Sequence, residues 1–144
     1  MATSNRAALQ TIQSQLLANG YVKRAVVGDI KAPTDVLTAA VYSMQVAIPE
    51  TTLPNPRLAW TANIRIYARL LDGGGEETEL LLDEVVQKVI EDICGGFTLG
   101  ANVAYLRPTE TVVRWGFLEL GGVWFRVVDI PLTYIIDDRA AFAE

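Results

Sequence analysis

Residues 58 to 70 have an apolar side chain at every even position, and this alternation constrains the fold more than any other feature. Successive side chains of a β-strand point to opposite faces, so a period of two predicts a strand with one buried face. The segment is about twice as long as a typical strand of ~5–6 residues. We expect its other face, which includes Arg65, Tyr67 and Arg69, to meet water or a partner. The apolar positions are Leu58, Trp60, Ala62, Ile64, Ile66, Ala68 and Leu70.

The remaining segments complete an α+β pattern. Ser4 can cap a helix over residues 5 to 19, and a second helix is predicted over residues 76 to 94. Strands are predicted over residues 22 to 30, 36 to 48 and 58 to 70, and again within residues 101 to 136, where Gly121-Gly122 forms a hairpin turn. The order α-β-β-β-α-β-β-β predicts a single domain over residues 1–144, with an antiparallel or mixed sheet backed by two helices.

The same patterns predict which side chains share a face. The second helix places Leu82, Val85, Val86, Val89 and Ile93 at helical spacing. The strand over residues 36 to 48 is expected to carry Ala40, Tyr42, Met44, Val46 and Ile48 on one side. One face of residues 110 to 120 carries Val113, Trp115 and Phe117.

The composition lacks the usual equipment of an enzyme. The chain has no histidine, which removes the commonest general base and metal ligand. Its single cysteine, Cys94, sits at the C-terminal end of an apolar helix, where the helix dipole disfavours a thiolate. The carboxylates between residues 72 and 92 do not follow the spacing of a calcium loop, and Gly73-Gly74-Gly75 lacks the lysine of a phosphate-binding loop. We therefore predict no catalytic residue, no metal and no cofactor.

Charge and hydropathy also bound the partners. With 17 acidic and 12 basic residues, the chain has a net charge of −5, which disfavours a protein that grips nucleic-acid phosphates. No apolar run is long enough to cross a membrane, and the N-terminus does not resemble a signal peptide. A lone cysteine fits a reducing compartment, so we expect a cytoplasmic protein without a membrane partner.

Two surfaces are candidate interfaces between subunits. The first is formed by Arg65, Tyr67 and Arg69, because Arg and Tyr are favoured at protein interfaces; the alternative is a solvated sheet face. The second is the segment over residues 49 to 56, PETTLPNP, which its prolines should keep out of regular structure. It is expected to contact a neighbour; the alternative is a loop that meets only solvent. Its candidate contact residues are Pro49, Leu53, Pro54 and Pro56.

The layout resembles the tail terminator, or tail completion, proteins of long-tailed phages with non-contractile tails, especially those that infect actinobacteria. The resemblance covers nearly the whole chain and lies in layout and loose patterns rather than in one invariant motif. It is carried by the step from Gly28 to Pro33, by LTAAV at residues 37 to 41, and by the segments ANIRIYARL, FTLGANVAYLRP and WFRVVDIPLTYIIDD.

The resemblance implies a structural role in the virion. Proteins of that family have an α+β sandwich fold and form a ring, usually a hexamer. The ring docks on the last disc of the major tail tube protein, stops its polymerisation and offers the surface that joins the head-tail connector or stopper protein. DNA only passes through the central hole, and the site of action is the tail or neck of a virion assembled in the host cytoplasm. No catalytic residue is implied.

Two other functions stay open from the sequence. One is a different neck protein, such as a head-completion or stopper protein. The other is a small host binding module, without enzymatic activity, that holds a ligand or peptide on its sheet.

Overall fold

A mixed β-sheet carries two helices on one of its faces in the computed structural model, which describes residues 4–32, 36–50, 57–70, 75–94, 105–106 and 112–137. The predicted α+β class, with a mixed sheet and two helices, is confirmed. The elements in chain order are α1 (Asn5–Ala18), β1 (Arg24–Val27), β2 (Thr38–Glu50), β3 (Arg57–Arg69), α2 (Gly75–Val89) with a π-helical turn (Ile90–Cys94), β4 (Tyr105–Leu106), β5 (Arg114–Leu120) and β6 (Val123–Asp137).

β3 is the central strand of the sheet. It pairs antiparallel with β2 on one side and with β6 along its whole length on the other. The strand order is β1-β2-β3-β6-β4, and β5 lies beside the first half of β6. β1 and β2 are parallel, which makes the sheet mixed. The long alternating segment is therefore placed where it has a neighbour on both sides.

The helices bury the apolar face of β3. The Ser4 side chain accepts a hydrogen bond from the Ala7 N–H and caps α1, and Gly20 follows the helix with φ 73°. α2 buries four of its five predicted core residues, and the side chain of Ile93 lies outside the description. The main core joins Ile12, Leu16, Leu82, Val86, Val89, Ala62, Ile64, Ile66, Val128 and Ile130.

The turn at Gly121-Gly122 sets the register of the β5–β6 hairpin. Both glycines have positive φ, 55° and 82°, as a two-residue type I′ turn requires. Leu120 and Val123 pair directly across it, so the predicted hairpin is present.

β2 does not keep one face, contrary to the prediction. Its register with β3 shifts between Ser43 and Gln45, which makes Met44 an extra, bulged residue. Tyr42 lies opposite Asn63, on the face without helices, whereas Val46 lies opposite Trp60, on the helix face. One inserted residue thus exchanges the faces for the rest of the strand.

The prediction for residues 49 to 56 is wrong at its start. β2 runs through Pro49 to Glu50, and Glu50 pairs with Arg57 of β3. Leu53, Pro54 and Pro56 lie outside the described residues, as do Gly73 and Gly74, whereas Gly75 begins α2.

Two neighbouring leucines of α2 provide a test of this helix orientation. Leu82 is fully buried and Leu80 is 64% exposed. We expect Leu82→Ala to lower the free energy of unfolding by about 2–5 kcal/mol, because it leaves a cavity in the main core. Leu80→Ala, with the same chemical change, should stay within about 0.5 kcal/mol of the parent. Urea unfolding measures both, and equal losses in the two variants would contradict the orientation.

Candidate functional site

The face of the sheet without helices carries an open groove of about 480 Å³, which we call the polar groove. Its volume lies within the range of ligand-binding clefts. β2, β3, β6 and the start of β5 line it. Its residues are Tyr42, Met44, Asn63, Arg65, Val112, Arg114, Asp129 and Pro131.

A two-point ion pair forms the floor of the polar groove. Arg65 of β3 lies directly opposite Asp129 of β6 in the register. Its Nε donates to Asp129 Oδ1 at 2.7 Å and its Nη2 donates to Oδ2 at 3.2 Å. The Arg65 side chain is 24% exposed and the Asp129 side chain is 32% exposed, so both are largely buried. A bidentate geometry of this kind fixes orientation as well as charge.

Asn63 extends this floor towards β2. Its side chain is almost fully buried, and its Nδ2 donates to Tyr42 Oη and to Asp129 Oδ1, both at 2.9 Å. The Arg65 guanidinium lies 5.8 Å from the centre of the Tyr42 ring, within reach of a cation–π interaction. Three adjacent strands are therefore joined by side-chain contacts as well as by their backbones.

A second carboxylate reaches the floor from the connection between β1 and β2. Asp29 Oδ2 lies 3.7 Å from Arg65 Nη1. Tyr67 Oη donates to Asp29 Oδ1, which also accepts from the Ile30 N–H at 2.9 Å. Parallel neighbours such as β1 and β2 need a crossover connection, and the described part of this one packs over the face without helices.

That crossover overturns the expectation for Tyr67. The ring is fully buried in a second apolar cluster with Ile30, Ala40, Phe125 and Val127, and it meets Phe125 edge-on at 6.0 Å. A residue predicted to meet water or a partner is thus buried within its own chain. Tyr67 lies beside the groove, on the same face of β3 as Arg65, and does not line it.

The electrostatics of the floor favour the charged form of Arg65. The hydrogen bonds that Arg65 donates to Asp129 raise the pKa of Arg65 above its ordinary value, so the guanidinium stays charged. Arg65 is engaged by Asp129 and Asp29, and Asn63 by Tyr42 and Asp129. The floor therefore has its polar groups satisfied within the chain.

The rim differs from the floor. Met44 and Val112 are each 58% exposed, and Arg114 is exposed at the register position opposite Asp129. Exposed apolar side chains beside an arginine are typical of a surface that contacts another protein.

The other predicted interface residues are not brought into this groove. Arg69 is exposed at the end of β3, opposite Phe125, and does not line it. Pro49 lies in β2.

Asp129 and Asn63 were missed by the sequence analysis, although a signal was present. Asp129 is the one charged residue in the apolar run VVDIPLTYII, as Arg65 is in NIRIYA. Lone opposite charges in two long apolar strands predict that those strands are neighbours and that the charges face each other.

A second cavity, of about 500 Å³, lies between the α1–β1 turn and α2. Tyr21, Leu81 and Val85 are among its lining residues. The Tyr21 hydroxyl is buried and has no hydrogen-bond partner within the described ranges. A buried hydroxyl without a partner is rare in folded proteins.

Two acidic residues of α2 form ion pairs. Glu84 accepts from Lys88 at 3.1 Å, and Glu79 accepts from Arg126 of β6. Over the part of the chain that the structure describes, no cluster of three or more potential ligands is placed to hold a metal ion. In the same ranges no helix is long and apolar enough to cross a membrane.

No protein-family model matches the chain, and no curated protein matches it.

Removing one partner of the floor pair tests its contribution. We expect Asp129→Asn to lower the free energy of unfolding by about 2 kcal/mol, because Arg65 is left largely buried without its main acceptor. Glu84→Gln breaks an exposed pair by the same chemical change and should cost under about 0.5 kcal/mol. Urea unfolding compares them, and an Asp129→Asn variant as stable as Glu84→Gln would contradict the assignment.

Alkaline unfolding tests the two buried tyrosines. Burial raises the pKa of Tyr67 and of Tyr134 above the ordinary value of about 10. Above about pH 10 the unfolded chain releases these protons and the folded chain keeps them, so stability is full below this pH and declines above it. We expect Tyr67→Phe combined with Tyr134→Phe to lose less stability between about pH 9 and 11 than the parent. Urea unfolding of both proteins at the two pH values measures these losses. An equal loss of unfolding free energy in the parent and in the double variant would refute this.

Proposed function

We propose that the protein is a ring-forming structural subunit that terminates the tail of a long-tailed bacteriophage. In this proposal its element order, α-β-β-β-α-β-β-β, is the sandwich fold of the tail terminator proteins. The ring, a hexamer, caps the tail tube, stops its polymerisation and provides the surface that joins the head. The resemblance in sequence layout over nearly the whole chain motivates the proposal.

The composition of the polar groove is the observation that carries it. A site for a small polar ligand needs polar groups that are free to bind the ligand, but the floor groups Arg65, Asp129 and Asn63 already bind one another. The exposed groups are Met44 and Val112, with Arg114 beside them. A satisfied floor with an apolar and cationic rim suits a protein contact better than it suits a reaction.

The charge balance agrees with the proposed path of DNA. A net charge of −5 repels phosphates, so a ring of such subunits lets a genome pass without holding it. The proposed lasting partners are therefore proteins: other copies of the chain, the major tail tube protein and the head-tail connector or stopper protein.

A small host binding module is the second candidate. The cavity between α2 and the α1–β1 turn favours it, because its volume of about 500 Å³ lies in the range of small-molecule sites. Such a module should be a monomer or dimer in solution, and the terminator should form a ring.

The mass of the purified protein separates these candidates. Six chains of 15.8 kDa give a ring of about 95 kDa. We expect native mass spectrometry to detect this ring, either in the protein alone or after tail tubes are added. Arg114→Glu should weaken the ring, because it reverses a charge at the groove rim. Arg24→Glu makes the same change on the exposed part of β1, at the other edge of the sheet, and should leave the ring intact. A parent that stays monomeric at all concentrations, with and without tubes, would overturn the proposal.

A further inference from the structure

The two helices do not extend over β5. α1 packs against β1 and β2, and α2 packs against β3 and β6. Two helices side by side span about 20 Å, which is the width of about four strands. β5 is the next strand along, so its helix-side face lies beyond their reach. Trp115 of β5 lies opposite the buried Val128, which places it on that face.

Three aromatic side chains are exposed there, and we call them the aromatic patch: Trp115, Phe117 and Trp124, with 38%, 60% and 53% of their surface exposed. Their combined exposed area is on the order of 300 Å². That is as large as the largest apolar patch on a typical monomer, and patches of this kind mark binding surfaces. Tryptophan is also enriched among the residues that dominate binding energy.

One ring of the patch, Phe117, is held in place by the chain itself. The Arg126 guanidinium lies 4.4 Å from the centre of the Phe117 ring and donates from Nη1 to the Gly116 carbonyl at 3.2 Å. Arg126 is itself fixed by Glu79 of α2. A surface ordered in advance loses less conformational entropy when it binds.

The chain carries a segment of matching chemistry at the opposite end of the sheet. Residues 51–56, Thr-Thr-Leu-Pro-Asn-Pro, have no charge and join β2 to β3 beyond the Glu50–Arg57 pair. Proline-bearing segments bind to surfaces lined by aromatic rings, and their restricted backbone reduces the entropy lost on docking. An uncharged segment is also easier to desolvate than the acidic face of α2.

Geometry assigns this contact to two different molecules. β3 spans about 40 Å between Arg57, near the segment, and Arg69, which pairs with Phe125 beside Trp124. Six residues that are anchored at both ends can reach no farther than about 10 Å from the ends of their strands. The segment therefore cannot reach the patch of its own chain.

We propose that the aromatic patch binds the proline-bearing segment, residues 51–56, of a second copy of this chain. The contact joins two different surfaces, so it is head-to-tail and repeats from copy to copy, as a closed ring requires. This inference rests on the proposed self-assembly and names the surfaces that perform it.

Complementary variants test the contact. Phe117→Thr combined with Trp124→Thr removes the patch at exposed positions, and Pro54→Ala combined with Pro56→Ala alters the segment. We expect each to raise the concentration needed for half-assembly at least about tenfold. Leu80→Thr, an exposed apolar residue outside the patch, is the control and should assemble as the parent does. An equimolar mixture of the two variants keeps one intact patch and one intact segment, so it should give a dimer of about 32 kDa and no ring.

The outcomes separate this contact from the proposed function. If both variants form rings at the parent's concentration, the contact is refuted and the ring stands. If the parent never assembles, a labelled peptide of residues 48–57 is titrated into the full chain and followed by anisotropy. If the peptide binds the parent but not the patch variant, the docking site is supported and the ring is not. If the peptide does not bind the parent, both the docking site and the ring are refuted. If the patch variant is misfolded by circular dichroism, the segment variant and the same peptide decide the question.

Discussion

The pairing of Arg65 with Asp129 fixes the register of the two longest strands in the sheet. A slip of one residue between β3 and β6 would turn Arg65 towards the helices, where the neighbouring positions are Ile64 and Ile66. A guanidinium buried there without an acceptor is costly, so the correct register is strongly favoured. The polar groove and the β5–β6 hairpin then follow, since both are positioned by β6.

The charged groups that pair in the floor of the groove are different from the groups that the groove exposes. The charged groups on the groove floor are satisfied within the chain, whereas the exposed groups around it are mainly apolar. The sheet also has more width than two helices can cover, which leaves the rings on β5 in solvent. Four strands of the sheet contact a helix, and the rings on β5 stay exposed beyond them.

The sequence patterns predicted the elements whose structure is determined by residues close together in the chain. The alternation around Ile64 and Ile66, the spacing of Leu82 and Val86 and the glycine turn between β5 and β6 all identify their elements from neighbouring residues. Long-range features were beyond such patterns. Tyr67 is buried by a crossover that no local period reveals, and Asp129 meets Arg65 only because distant strands are neighbours.

The bulge at Met44 has a further consequence for the free edge of β2. Beyond Val41 the outer side of this strand has no paired neighbour among the residues that the structure describes. A regular edge of that length is a template for uncontrolled strand addition and fibril growth. The extra residue at position 44 bends the strand and interrupts the regular ladder that an incoming strand would need. Many copies of this β-rich chain can therefore be present at high local concentration without pairing edge to edge through β2.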